Sequence, residues 1–318
     1  MPVSRHGGGL AASSEHTRGA DFVLVVLGAV LWGTGGLAGA TLGDRGIGML
    51  TVACLRLGLG GGVLLLGLAL AGRLGAVPRN RQVVVRVLAT AALAAVYQAC
   101  YFVAVRLTSL GVATFIALGA APVIVAGVTA IRTRQLPERP TLVAVVLALT
   151  GLTLLVGVRG GGDAPLVGGL LALVSAGAFA TMTMVNRRPV VGLGALALTG
   201  TSFTLGGVLL VPVALVVAAG SDVAALPGAG SSWLLVAYLG AGPTALAYVA
   251  FFAGLRTVPS TTASLVALLE PLTAAVGAYL VRGESLGLTG VVGALLLGFA
   301  VMVLRPRRVS PTMAAGLH

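Results

Sequence analysis

Glu270 is the residue in this sequence best placed to do chemistry, because Leu269-Glu270-Pro271 interrupts a run from Val258 to Val281 that holds no other charge. In a helix over 259–281, Glu270 lies about 16 Å from the helix start at ~1.5 Å per residue. At that depth its short side chain cannot reach an interface. An isolated carboxylate in lipid costs ~2.5–3.5 kcal/mol, so it should line a wet cavity, pair with a cation or carry a proton. A carboxyl that takes up and returns a proton can couple a proton gradient to the movement of something else. The other fate of such an acid is a hydrogen bond to a neighbouring helix that serves packing alone.

Arg56 is the matching cation, roughly 10 Å below the end of a span over 49–71. It either snorkels to the interface or turns inward, to pair with Glu270 or to hold an anionic group such as a carboxylate. Trp32, Gln98, Tyr101 and Tyr248 are amphipathic side chains near mid-span that could line a cavity, and Gln98 and Tyr101 share a helix face. Each could equally be packing. Pro271 cannot donate a hydrogen bond, so it should leave the Ala267 carbonyl free and bend the helix beside Glu270; Pro122 should do the same to Leu118. Gly242-Pro243 makes a third break, and breaks at matched depths point to a translocation path. Gly58 and Gly62 read as places where helices approach closely.

The elements that hold these residues follow from composition. The chain of 318 residues is 58% hydrophobic and 9% charged with a mean hydropathy of +1.07, far from the balance of a soluble domain. Its apolar runs are too long and too uniform for barrel strands, so every span should be a helix that satisfies its own backbone. Polar, Gly, Pro and Arg-bearing breaks place ten spans near 22–41, 49–71, 84–105, 109–131, 141–158, 166–186, 192–218, 232–254, 259–281 and 286–304. The fold class expected is an all-α integral membrane protein of ten transmembrane helices. Residues 1–20 read as a disordered cytoplasmic tail and 306–318 as a second one. The stretch before Ala38-Gly39-Ala40 is too long for a signal-peptide core and is kept as the first span.

A net charge of +12 from 20 arginines invites a nucleic-acid reading. With the N-terminus inside, however, only Arg45, Arg106, Arg159 and Arg282 fall outside and Arg56 within a span; all the other arginines fall inside. That is the asymmetry of positive-inside orientation, which explains the charge without a polyanion. It places both termini in the cytoplasm and the chain in the cytoplasmic membrane. Cys54 and Cys100 lie in different spans and His6, His16 and His318 lie in the tails, so neither a disulfide framework nor a metal site is supported. A membrane enzyme would need paired acids or a His-bearing site. A primary pump would need a phosphate-binding loop, and a chain without Lys has no GxxxxGK. No enzyme, cofactor or metal is expected.

An internal repeat orders the spans. Tyr101 to Arg106 aligns with Phe251 to Arg256, and Pro122 aligns with Pro271 one gap later; each Pro is followed by an Arg, then a Glu (Glu138, Glu284) and a last Gly-bearing span. Five spans per half is odd, so the copies, 21–158 and 166–305, should enter the membrane in opposite senses. Inverted five-helix repeats suit alternating access around a midplane site.

At these residues the chain resembles the EamA-type ten-span branch of the drug/metabolite transporter superfamily. The likeness is carried by Leu31-Trp32-Gly33, Leu55-Arg56-Leu57, the aromatic stretch ending at Arg106 with Pro122 after it, Leu269-Glu270-Pro271 and Gly283-Glu284. The sixth span departs from it, with Gly177 and Phe179 where a second Trp would stand, and Ala121 precedes Pro122 where the second half has an acid. The resemblance implies a secondary transporter that exports or takes up small organic solutes, with no ATPase of its own, and the expectation is an exporter of metabolites such as amino acids or drug-like solutes. The expected partners are that small-molecule substrate, the lipid bilayer and protons as coupling ion, with no nucleic acid, in a monomer or homodimer. The alternative is a membrane scaffold or lipid-handling protein with no solute flux. A polar, wet cavity between the halves would favour transport and a dry one the scaffold.

Overall fold

A computed structural model of the protein describes residues 7–157, 162–219, 230–283 and 285–304. Arg5, His6, Arg159, Glu284, Arg305, Arg307, Arg308, His318 and the tail 306–318 lie outside these residues. The regular elements described are helical: α1 (Gly7–Asp44), α2 (Met49–Leu70), a short 3₁₀ turn (Leu74–Ala76), α3 (Arg81–Leu107), α4 (Leu110–Thr133), α5 (Arg139–Val156), α6 (Pro165–Asn186) and α7 (Ala195–Ala219). There follow α8 (Gly230–Leu239), a π-helical segment (Gly240–Leu246), α9 (Ala247–Gly254), α10 (Ser260–Val266), α11 (Leu269–Arg282) and α12 (Gly287–Val303). Among the described residues nine stretches, from Thr17–Asp44 to Ser260–Val281, are long and apolar enough to cross a membrane, and Gly287–Val303 is a shorter tenth. The ends are set by local chemistry. Asn80 and Ser109 cap α3 and α4 by accepting from the N–H groups of Val83 and Val112. Gly157 and Gly283 close α5 and α11 at positive φ.

Three expectations need correction. The segment expected as a disordered tail is helical from Gly7, because a helix already nucleated by the apolar span extends backwards at little cost where no Pro stops it. Pro122 does not break its helix: α4 runs through it without interruption. In the ninth span the helix is broken, but one turn before Pro271, at Ala267-Leu268. The Ala267 carbonyl is not left free there, since the Glu270 N–H donates to it at 3.0 Å.

The helices pair across the two halves of the chain. α2 packs on α7 and α5 on α12, while α3 and α4 lie on α6 much as α9 and α11 lie on α1. Several crossings are built on glycine, which lets backbones meet where lipid offers no hydrophobic drive. A Cβ on Gly151 or Gly293 would strike the other's carbonyl, and one on Gly207 would strike the backbone of Gly58. Gly62 has open space beside it, so in α2 the close approach falls to Gly60 and Gly61 instead.

Candidate functional site

The eighth span carries the first irregularity of the site. Pro243 removes a donor from the ladder, and Gly240 and Gly242 add little to hold the α register, so the chain slips to wider π turns over Gly240–Leu246. Pro243 is buried, and its ring meets Gly35 of α1. Beyond the π segment, Tyr248 and Phe251 turn toward the same helix.

Trp32 of α1 is the hub of an aromatic cluster drawn from five spans. Its ring centre lies 4.7 Å from Tyr248, 4.8 Å from Phe251 and 5.9 Å from Phe179 of α6. Phe179 continues to Tyr97 of α3 at 5.5 Å, and Tyr97 stacks on Tyr101 at 6.4 Å. Phe203 of α7 meets Tyr248 edge-on at 4.5 Å. Tyr101 is half-buried, and its hydroxyl is 2.8 Å from Thr114 Oγ1 of α4. Gln98, one turn from Tyr101, is buried.

The charged pair adjoins this cluster. Gly33, next to Trp32, faces the start of α11 so closely that a Cβ there would collide with the Glu270 carbonyl and with Thr273. Glu270 is in the first turn of α11, where the positive end of the helix dipole favours a carboxylate. It is half-buried, as is Arg56. The charges of Arg56 and Glu270 both reach Tyr97, Tyr101 and Tyr248, and that of Arg56 reaches Glu270, so the five groups lie near one another. They form no ion pair: among the described residues the salt bridge present is Arg256 to Asp21. Arg56 Nε and Trp32 Nε1 are buried donors without a hydrogen-bond partner. Two unused donors, a half-buried carboxylate and an aromatic wall are groups that can bind a small polar organic molecule and exchange protons.

Of the residues singled out from sequence, Trp32, Arg56, Tyr101, Tyr248 and Glu270 therefore converge, with Gln98 beside them. Gly242, Pro243 and Pro271 shape the helices that carry them. Pro122 is buried in α4, which packs chiefly on α6 and also on α3, α5 and α10. Sequence reading passed over Tyr97, Phe179 and Phe251. The one-turn spacing of Tyr97 and Tyr101 was an available signal for the first. Phe179 was noticed only as a missing Trp, and it is the ring that links Trp32 to Tyr97. Among the described residues no three His, Cys, Asp or Glu side chains gather as a metal site.

A cavity of about 310 Å³ opens at the end of the bundle holding the α1–α2 turn, lined by Ile47, Met49, Phe102, Val105, Arg106 and Ala214 among others. Phe102 is 5.1 Å from Tyr101, so the cavity ends against the aromatic cluster. At the same end Arg45 donates to Ser231 and Ser232 of α8 at 3.1 and 3.0 Å. The opposite end is tied across the halves by Thr90 to Asn186 at 3.0 Å and by Arg86 to the Arg188 carbonyl at 2.5 Å.

Comparison with known proteins bears on the family and the fold. The model of the EamA-like transporter family matches residues 21–157 and again 166–305. The "Uncharacterized transporter YwfM" of Bacillus subtilis (strain 168) is 30% identical over 302 residues, covering 92% of this chain and 97% of that protein. An "Uncharacterized transporter" of Archaeoglobus fulgidus is 29% identical over 206 residues, covering 64% of this chain and 70% of its own. A solved crystal structure superposes with a TM-score of 0.74 at 17% identity, over 90% of this chain and 98% of that one, which supports the fold.

Proposed function

The chain belongs to the EamA-like transporter family, and from that premise we propose that it is a proton-coupled secondary exporter of small organic metabolites, amino acids or drug-like solutes among them. It is a multi-pass membrane protein; on this reading it sits in the cytoplasmic membrane with both termini inside, and its two halves rock about the site between them. The observation that carries the reading is the arrangement of Glu270 and Arg56, opposite charges beside a helix break, half-buried and near enough to feel each other, yet not joined in an ion pair. A carboxylate kept for packing would be closed off and fully bonded. Here substrate and proton compete for it: proton uptake by Glu270 weakens its hold on a cationic or hydrogen-bonding substrate group and leaves Arg56 free for an anionic one.

The test is uptake into proteoliposomes of labelled amino acids, nucleosides and small organic cations, with and without an imposed pH gradient. Gradient-dependent flux of any member supports the reading and gives the substrate class. Absence of flux for the whole panel, with protein shown to be folded, counts against it and favours the scaffold.

A further inference from the structure

A second carboxylate is buried in this protein, outside the site. Asp21 lies near the start of the membrane-crossing stretch of α1, with its side chain 3% exposed. Gly254, the last residue of α9, presses so closely on α1 that a Cβ would collide with the Asp21 carbonyl and with Val25. The closest basic atom is Arg256 Nη2 at 3.9 Å from Oδ1, on a side chain 68% exposed; Oδ2 has no partner, and neither does the buried hydroxyl of Thr257. The turn after α9 is held from a second side by Arg187 Nε of α6, which donates to the Val258 carbonyl at 3.2 Å.

We propose that Asp21 and Arg256 form a sprung latch on this end of the bundle, in which Arg256 favours the closed state and the buried Asp21 charge favours the open one. Desolvating a carboxylate costs more than a long contact to a mostly solvated guanidinium returns. Closure against Gly254 therefore holds Asp21 under an electrostatic load that is released when the α1–α9 contact parts and water reaches both oxygens. Arg256 offsets part of the load. An ordinary ion-pair clasp would lose hold whichever partner was removed, whereas here the two removals act in opposite directions. The role of the latch in a transport cycle rests on the alternating-access reading above, but its opening can be read without any substrate.

The experiment uses the full chain in detergent with Cys54 and Cys100 replaced by alanine and Thr257→Cys as reporter, followed by the rate of labelling with a water-soluble maleimide. Arg256→Gln should raise that rate by at least about fivefold and Asp21→Asn should lower it by a similar factor, the ratio that one or two kcal/mol of bias produces. Raising salt from low to molar should accelerate labelling in the chain with both partners, because Arg256 is exposed to screening, and should do nothing once Asp21 is Asn. This salt response needs no Arg256 variant to fold. Acceleration by both substitutions would overturn the spring in favour of a plain clasp, and no change with either, or with salt, would overturn the latch altogether. Loss of flux with normal labelling shifts would strike the transport reading and leave the latch standing.

Discussion

The fourth and ninth spans each carry a proline within the two segments that the family model matches, and they treat it differently. Pro122 sits within α4, an unbroken helix of 24 residues. Pro271 sits in the first turn of α11, after a break at Ala267-Leu268. The missing N–H of Pro271 falls among the four that a helix start never satisfies internally, so once the break exists the proline costs little. Pro122 instead leaves the Leu118 carbonyl without its usual donor inside a packed helix. The eighth span departs likewise from its counterpart: α3 is continuous where α8, the π segment and α9 follow one another. The irregular backbone thus collects in the second half, with Glu270, while the first half supplies a more regular scaffold and Arg56. Proline alone does not interrupt a helix here; the interruption accompanies the proline that stands at a helix start.

The largest effect should come from moving the carboxylate. A chain carrying Ala121→Glu and Glu270→Ala keeps the net charge and an acid-proline pair, but on a continuous helix. It should show no gradient-driven flux in proteoliposomes, and restored flux would mean that the break is irrelevant. Next come the two prolines. Pro271→Ala lets α10 and α11 join and should cut the initial rate at least about tenfold, the equivalent of ~1.4 kcal/mol, with thermal stability kept; Pro122→Ala should change the rate by less than about twofold. Equal effects would erase the contrast between the halves. Gly33→Val should push α1 from the start of α11, lowering both Tm and flux, by the ~1–3 kcal/mol typical of overpacking. Smallest is Trp32→Phe, which keeps a ring against Tyr248 and Phe251 but removes the unpaired Nε1 donor. It should raise KM several-fold with little change in maximal rate, read from a substrate-dependence curve.

Much of the fold was legible in the sequence. Apolar runs bounded by Gly, Pro and Arg locate spanning helices because lipid favours elements that satisfy their own backbone, and apart from the start of α1 the outer ends of the spans fall within a few residues of those expected. The site was legible in its members and not in its assembly. Glu270 announces itself by isolation, but whether Arg56 snorkels or turns inward is decided by how α2 lies against the π segment and α7, through Gly60 and Gly61. Phe179 gave no signal except as a departure from a pattern. Asp21 sits at the margin of a span, and the residue that meets its backbone carbonyl, Gly254, is more than two hundred positions away along the chain. The extension of α1 to Gly7 was hidden for the opposite reason, since a Gly-rich stretch has weak helix preference of its own and is helical here as the continuation of a stable span.

The claim that organises these observations is that Glu270 carries the proton that drives transport, and Glu270→Gln tests it most directly. The variant keeps the shape of the side chain and removes its charge and its titration, and insertion can be checked by size-exclusion profile and helical circular dichroism. In proteoliposomes loaded for any substrate the wild-type chain moves, the variant should lose the response to an imposed pH gradient across the whole pH range while its fold is unchanged. Gradient-driven flux equal to wild type would contradict the account and leave Glu270 as a packing residue.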